Sequence, residues 1–392
     1  MGAAPVRRVL LDCTRSAERA GHHSGTRRVV RNLVQHAGAA LAPLGVAALP
    51  VASREGRLGG LPARALIDPS RRADARAART APLAPGPGDL LLLADSLWAP
   101  GLLPAVERAR LAGAALGALV HDILPVRHPE WFAPELPERF VGALRWLLER
   151  ADFLLTFSEA TRADLADWWR GQGAGAPLPA CAVVRPGSDL DAAVPPGPGA
   201  ETLTGAACDA PLFLCVGTLE PRKGHALLLD AFERVWQAGG CAQLLVAGRE
   251  GWSCADVVAR MARHPERGRR LFVRGDLEDG ELILAYRRAT ALVQASRAEG
   301  FGLPIVEALH LGLPVLASDL PGHREAGGRH ARYFDPGRPD ALARLLLDFD
   351  AERERAHVRE LGPAWCPSWR DASRALLERA TDLAERARAR VP

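Results

Sequence analysis

Lysine is almost absent from this sequence. Of its 50 basic residues only Lys223 is a lysine, so the remaining 49 are arginines. A lysine that persists in such a background marks a position where a compact ammonium group serves better than a planar guanidinium, and a phosphate contact is one such position. Survival by chance is the alternative. Lys223 is therefore the first candidate for a ligand-binding residue.

The sequence also lacks the signatures of several protein classes. No apolar run reaches the roughly 18 residues of a membrane span, and the first one meets Asp12 too early for a secretion signal. The net charge is only +4 and the basic residues form no long run, which excludes a typical nucleic-acid-binding protein. The seven cysteines include no C-x-x-C pair. These features predict a cytoplasmic protein with reduced thiols and no structural metal.

Short apolar runs alternate with helical patterns along most of the 392 residues. Residues 6–11 and 89–93 predict strands in the first half, and residues 213–216 and 243–247 do so in the second. Such alternation indicates an α/β fold with parallel, doubly wound sheets. A segment rich in Pro, Gly and Ala at 186–210 predicts a boundary between two domains, with a ligand between them at the carboxyl ends of the strands.

The sequence FLCVGTLEPRKGHALLLDAF, residues 213–232, predicts an anion site. A strand ends at Gly217, a loop carries Arg222 and Lys223, and a helix begins near His225. Two cations beside the amides of a helix N-terminus, at the carboxyl end of a strand, suit the two phosphates of a pyrophosphate. The alternative is a solvated pair of loop cations.

A second segment, ASRAEGFGLPIVEALHLGLPVLASDLPG at residues 295–322, places two carboxylates eight residues apart. Glu299 lies in a glycine-containing loop, and Glu307 lies in the helix that Pro304 begins. Glycines allow a close approach of the backbone to a ligand. Carboxylates with this spacing suit the hydroxyl groups of a sugar and of a ribose. A helix-dipole role for Glu307 is the alternative.

These segments, together with VAGREGW and VRGDLEDGELILAYRRATALVQ, resemble the C-terminal half of retaining glycosyltransferases of the GT-B fold, family 4. The segments SGTRRVVRNL, LVHDILPVRHPEWF and FLLTFSEATRADL resemble the N-terminal half. The resemblance implies an acceptor-binding Rossmann-like domain over residues 1–197 and a nucleotide-sugar-binding one over 198–370. It also implies a helix over 371–392 that returns to the N-terminal domain.

The resemblance implies a role for each matching residue. Arg222 and Lys223 would neutralise the departing diphosphate, Glu299 would contact the donor sugar, and His121 would lie beside the anomeric centre. The family commonly has a bulky residue where this sequence has Ala298. The donor-binding set would comprise Gly25, Gly217, Arg222, Lys223, Phe301, Gly302, Leu303 and Glu307.

The HDILPVRHPEWF and GREGW segments look most like mannosyl- and rhamnosyltransferases of bacterial surface polysaccharide assembly. The expected donor is a GDP-sugar, and the expected acceptor is a saccharide or a lipid-linked saccharide. Peripheral membrane contact through residues 71–79 and Trp98 would follow, and an ordinary exposed loop is the alternative. No cofactor and no metal are expected, and the D-x-D strings at 189–191 and 348–350 are taken as incidental. The oligomeric state stays open.

Two other functions remain open. A nucleotide-sugar epimerase of the same fold would convert the donor without an acceptor. A degenerate subunit of a polysaccharide assembly complex would bind ligand without turnover. A phosphorylase would need a lysine for pyridoxal phosphate, and the single lysine already lies in the anion loop.

Overall fold

The structure is a computed structural model that describes residues 5–18, 24–67, 82–99, 101–173, 177–190, 210–275, 277–359 and 365–389. The chain divides into two units. Unit 1 contains residues 1–127, 134–187 and 368–392, and unit 2 contains residues 128–133 and 188–367. A separate β-sheet forms the centre of each unit. The two predicted α/β halves are therefore present as two sheets.

Unit 1 has a seven-stranded sheet of order β3-β2-β1-β4-β5-β6-β7, parallel except for the antiparallel edge strand β3. Its strands are β1 (Arg8–Asp12), β2 (Ala47–Arg54), β3 (Arg57–Gly60), β4 (Asp89–Leu93), β5 (Ala115–Val120), β6 (Phe153–Thr156) and β7 (Ala180–Val183). Its helices are α1 (Thr14–Glu18), α2 (Gly25–Leu41), α3 (Ala63–Ile67), α4 (Leu102–Leu111), α5 (Leu124–Arg127), α6 (Glu135–Arg150), α7 (Glu159–Gly171) and α15 (Trp369–Ala389).

The central strands of unit 1 are continuous apolar runs because helices cover both faces of a doubly wound sheet. All five residues of β4, DLLLL, are buried. Helix α2 begins after Ser24, whose hydroxyl accepts a hydrogen bond from the amide of Arg27 at 3.4 Å. Helix α15 packs against α2 and is tied to the sheet by the Arg388 guanidinium, which donates to the Asp89 carbonyl at 2.7 Å.

Unit 2 has a six-stranded parallel sheet of order β10-β9-β8-β11-β12-β13. Its strands are β8 (Leu212–Val216), β9 (Gln243–Ala247), β10 (Leu271–Arg274), β11 (Ala291–Gln294), β12 (Val315–Ser318) and β13 (Ala331–Phe334). Its helices are α8 (His225–Gln237), α9 (Ala255–Ala262), α10 (Asp279–Arg288), α11 (Leu303–His310), α12 (Pro321–Gly327), α13 (Pro339–Leu347) and α14 (Ala351–Arg359).

The chain order of the strands reverses between β8 and β11, which are neighbours in the unit 2 sheet. In doubly wound sheets, ligands bind outside the carboxyl ends of the strands at such a reversal. The loops that follow β8 and β11 are those that carry the predicted cations and Glu299. The fold therefore brings the two segments selected in the sequence to one edge of one sheet.

Candidate functional site

A cluster of opposite charges forms where β8 and β11 end. The Lys223 ammonium donates to Oε2 of Glu299 at 2.7 Å, and Nη1 of Arg222 donates to Oε1 at 2.9 Å. The exposed fraction of the side chain is 11% for Lys223, 18% for Arg222 and 13% for Glu299. The structure thus joins the three residues that the sequence predicted separately, over a separation of 77 positions.

Two further side chains complete this cluster, and sequence reasoning missed both. Glu220 pairs with Nη2 of Arg222 at 2.7 Å, and its own side chain is 2% exposed. The hydroxyl of Ser296 lies 3.3 Å from Oε2 of Glu299. The cluster therefore contains two cations and two carboxylates. Glu220 could have been suggested by its place two residues before Arg222.

Glu299 is ionised in this cluster. Burial alone would raise the pKa of its carboxyl, but the neighbouring Arg222 and Lys223 outweigh burial and hold that pKa well below its usual range. The carboxylate therefore stays charged and paired with both cations at every physiological pH. An anionic ligand that bound the same two cations would compete with it.

Gly224 allows the cation loop to approach the end of β11. Its φ is +67°, and a Cβ atom there would lie 1.9 Å from the carbonyl oxygen of Ala295. The amide of Arg297 then donates to the carbonyl of Arg222 at 2.7 Å, which joins the two loops. Only glycine fits a left-handed position with this close a neighbour.

The glycine-containing loop after β11 leads into helix α11. Gly302 is the residue before the helix, with a φ of +111°, and Phe301 is buried. A Cβ atom on Gly302 would lie 3.1 Å from the ring of His323 at the start of α12. The predicted amides of Phe301, Gly302 and Leu303 therefore lie at a helix N-terminus, where anions are favoured.

His323 is a buried residue that the sequence did not indicate. Its Nδ1 donates to the carbonyl of Ser318 at 3.0 Å, because a carbonyl can only accept. Burial lowers the pKa of the ring to about 4, against the opposing effect of Glu299. The imidazole is therefore neutral and has a fixed tautomer at the base of the 299–302 loop.

Glu307 lies in α11 and is 1% exposed. The phenol of Tyr286, on α10, donates to its Oε2 at 2.8 Å. Sequence reasoning selected Glu307 and missed Tyr286, since 21 positions separate them. Gly217, the other predicted glycine of the site, lies directly after β8, and a Cβ atom there would lie 3.4 Å from Cε of Lys223.

A group of aromatic side chains borders the β11 loop within unit 2. The rings of His128 and Trp131 stack at 4.0 Å, and the Arg297 guanidinium lies 4.9 Å from the centre of the Trp131 ring. Trp252 donates its indole N–H to the carbonyl of Trp131 at 2.6 Å and stacks on Phe132. The Arg297 side chain, which precedes Ala298, is therefore held by an indole ring.

His121 and Gly25 belong to unit 1. His121 follows β5, and its Nε2 donates to the carbonyl of Ala94 at 2.9 Å. Burial lowers its pKa, so the ring is neutral. Asp122 accepts from the amide of Leu124 at 3.0 Å, which makes it a cap for the next helix. Gly25 is the first residue of α2.

Two buried aspartates lie at the carboxyl edge of the unit 1 sheet. Asp12 ends β1 and Asp95 follows the neighbouring strand β4, and the two are 1% and 2% exposed. Asp12 accepts from the amide and hydroxyl of Thr14, and Asp95 accepts from the amide of Ser16 at 2.6 Å. Burial, and then the charge of Asp95, raise the pKa of Asp12 to about 7.

Among the described residues, no three His, Cys, Asp or Glu side chains are grouped so that they could hold a metal ion. Asp350 caps the start of α14 by accepting from the amides of Glu352 and Arg353. The other D-x-D string ends outside the described residues. Within the described part of the chain, no helix has the length and apolarity to cross a membrane. Residues 71–79, predicted to contact a membrane, also lie outside that part.

Part of this chain matches a known protein family. Residues 204–360 match the family described as Glycosyl transferases group 1. The chain is 36% identical over 303 residues to a serotype-specific mannosyltransferase WbdA of Escherichia coli, covering 74% of this chain and 37% of that protein. It is 32% identical over 164 residues to the O-antigen chain mannosyltransferase B of Escherichia coli, covering 41% of this chain and 43% of that protein. The chain thus spans less than half the length of these relatives.

Solved structures share the architecture. Anabaena Alr3699/HepE in complex with UDP and glucose aligns with a TM-score of 0.64 and 17% identity, over 95% of this chain and 99% of that chain. Sucrose-phosphate synthase from Thermosynechococcus elongatus aligns with a TM-score of 0.60 and 21% identity, over 96% of both chains. These likenesses confirm the predicted GT-B fold. Residues 204–360 are therefore a glycosyl transferases group 1 domain, carried in a chain of the GT-B fold.

Proposed function

We propose that this protein is a retaining glycosyltransferase that moves a hexose from a nucleotide-diphosphate sugar to a saccharide acceptor. Mannose, or a deoxyhexose such as rhamnose, is the proposed sugar, and a GDP-sugar is the proposed donor. The acceptor is a lipid-linked saccharide in surface polysaccharide assembly. The names of two relatives, a mannosyltransferase WbdA and an O-antigen chain mannosyltransferase, support this proposal.

The observation that carries the proposal is the pairing of Arg222 and Lys223 with Glu299 at the carboxyl edge of the unit 2 sheet. A diphosphate that entered this edge would meet two fixed cations and the N-terminal amides of α8 and α11. These groups would stabilise the charge that develops on the departing nucleotide. Fixed cations can supply the neutralisation that a divalent ion provides in other glycosyltransferases, so we propose a reaction without metal.

The displaced carboxylate of Glu299 would then be available to the donor sugar. Glu307 would accept from the ribose hydroxyls. Because the His121 ring is neutral, it can form a hydrogen bond with the sugar without adding charge at the anomeric centre. The acceptor hydroxyl would attack from the side of the leaving group and pass its proton to the departing phosphate. The sugar would carry oxocarbenium character in this transition state, as in glycoside hydrolysis.

We place the reaction at the cytoplasmic face of a membrane, because a lipid-linked acceptor resides there. Trp98 remains the described candidate for membrane contact. It is half-buried, and its ring lies 5.1 Å from that of Phe140.

The test is product analysis with purified protein, GDP-mannose, GDP-rhamnose and UDP-glucose, each with and without a lipid-linked saccharide. We expect an acceptor-dependent glycoside whose anomeric configuration, measured by NMR, equals that of the donor. Lys223→Ala should abolish transfer, whereas Arg344→Ala, which removes an exposed cation of α13, should not. Conversion of a donor to its epimer without acceptor would refute transfer in favour of an epimerase. Donor binding without turnover would indicate a binding subunit.

A further inference from the structure

Tyrosine is nearly as rare in this chain as lysine. There are two tyrosines against ten phenylalanines. Tyr286 is 1% exposed and lies on α10, packed within unit 2. A phenylalanine would fill almost the same volume there without a hydroxyl to desolvate. A hydroxyl buried without a partner is destabilising, so its presence here requires a compensating contact.

That contact is the carboxylate of Glu307. The phenol donates to Oε2 at 2.8 Å, and the two side chains are each 1% exposed. This hydrogen bond restricts rotation of the carboxylate about its last torsion, which is otherwise broad. The phenol therefore fixes the plane in which Glu307 can accept other hydrogen bonds.

We propose that Tyr286 is a positioning residue for Glu307 and thereby sets the affinity of the protein for the ribose of a nucleoside diphosphate. This inference rests on the proposed function, in which Glu307 accepts from the ribose hydroxyls. Tyr286 does not itself touch the ligand in this scheme. It keeps the carboxylate at the angle that two adjacent hydroxyls require. Binding of the hydroxyls then does not cost the entropy of ordering the carboxylate.

In this scheme Glu307 binds the ribose, and Arg222 and Lys223 bind the diphosphate, so the two contributions to affinity can be measured separately. Dissociation constants are measured by calorimetry for GDP and 2′,3′-dideoxy-GDP, and for UDP and 2′,3′-dideoxy-UDP, on the full chain. We expect the unmodified protein to bind the ribonucleotide about tenfold or more tightly than its dideoxy form. Tyr286→Phe should weaken ribonucleotide binding about 5- to 10-fold and leave the dideoxy form within about twofold.

Tyr333→Phe is the matched control, because it deletes the other phenol of the chain. Tyr333 donates to the carbonyls of Gly328 and His323 and not to Glu307. This variant should keep the ratio of the two dissociation constants. Glu307→Gln should lower that ratio, and the double variant Tyr286→Phe with Glu307→Gln should lower it no further, since the two residues act through one contact.

A loss in Tyr286→Phe that is equal for the ribonucleotide and its dideoxy form would overturn the proposal, because it would show a purely structural role. Equal affinities of the unmodified protein for both forms would overturn it as well, because Glu307 would then not bind the ribose. Absence of binding of every diphosphate to the unmodified protein would instead refute the proposed function on which this inference rests.

A second measurement covers the case in which Tyr286→Phe does not fold. Biosynthetic incorporation of 3-fluorotyrosine gives a chain with two fluorine resonances, one for each tyrosine, and Tyr333→Phe assigns them. The Tyr286 resonance should shift when GDP or UDP binds and should shift much less with the dideoxy form. Equal shifts with both forms would contradict a role for Tyr286 in ribose recognition.

Discussion

Replacement of Glu299 by glutamine should tighten the binding of a nucleoside diphosphate while it reduces sugar transfer. In the ligand-free protein the carboxylate holds both Lys223 and Arg222, at 2.7 and 2.9 Å. A diphosphate must displace it from these cations before it can bind them. Glutamine keeps the shape of the side chain but removes the competing charge, so Lys223 becomes available and Arg222 keeps its pair with Glu220.

The magnitude follows from the burial of the cluster. Two unit charges about 4 Å apart attract with roughly 4 kcal/mol at an effective dielectric constant of about 20. Desolvation of these largely buried groups offsets much of this attraction, which leaves a net value on the order of 1–2 kcal/mol. Such a value corresponds to a dissociation constant about 5- to 30-fold lower. The ligand-free variant should also unfold at a lower temperature, because Lys223 loses its carboxylate partner and Arg222 keeps Glu220 but loses Glu299.

Calorimetry with GDP and UDP measures the affinity, and a thermal-shift experiment measures the ligand-induced stabilisation. Glu266→Gln is the matched control, since it removes a carboxylate that pairs with Arg270 at 2.8 Å, away from the cation loop. This control should leave the affinity unchanged. An unchanged or weaker affinity in Glu299→Gln would show that the carboxylate and the diphosphate do not compete for the same cations.

Three further predictions concern other parts of the molecule. The Cβ atom of Gly224→Ala would lie 1.9 Å from a carbonyl oxygen. This variant should therefore destabilise the fold by roughly 3 kcal/mol or more, measured by chemical denaturation, and weaken diphosphate binding more than tenfold, measured by calorimetry. Gly239→Ala, also at positive φ but with no atom within 4 Å, should cost only about 1 kcal/mol, and equal costs would contradict the steric reason. Lys223→Arg should weaken diphosphate binding about tenfold although it keeps the charge, and full retention of affinity would make the single lysine incidental. In the folded protein the pKa of Asp12 is about 7, above its unfolded value of about 3.9, so the fold loses stability as pH rises from about 4 to 7. Asp12→Asn should remove that loss, which is on the order of 1–3 kcal/mol and can be measured by chemical denaturation at each pH. A difference in unfolding free energy between this variant and the unmodified protein that stays constant between pH 5 and 8 would contradict the prediction.

The sequence predicted most of the fold because buried parallel strands are continuous apolar runs. The bounds of β4 and β9 agree with the predicted segments at 89–93 and 243–247. The hairpin of β2 and β3 was missed, because Pro50 interrupts the apolar pattern of β2 and polar residues end it. Strand β13, ARYF, was missed for a similar reason, since two of its four residues are an arginine and a tyrosine.

Candidate site residues could be selected from the sequence where they are adjacent in it. The Arg222–Lys223 pair and the two glutamates of the second segment were selected on local pattern alone. Their contacts were not predictable, because the ion pairs of Glu299 and the hydrogen bond of Glu307 depend on which strands and helices become neighbours. The same holds for Asp12 and Asp95, which lie at the ends of two adjacent strands and are 83 positions apart in the chain.

The most direct test of the diphosphate site is a crystal structure of the protein with GDP or UDP bound. Both phosphates should lie within hydrogen-bonding distance of the Lys223 ammonium and the Arg222 guanidinium, and the Glu299 carboxylate should have left both cations. A nucleotide bound elsewhere, with the Glu299 pairs intact, would contradict the proposed site.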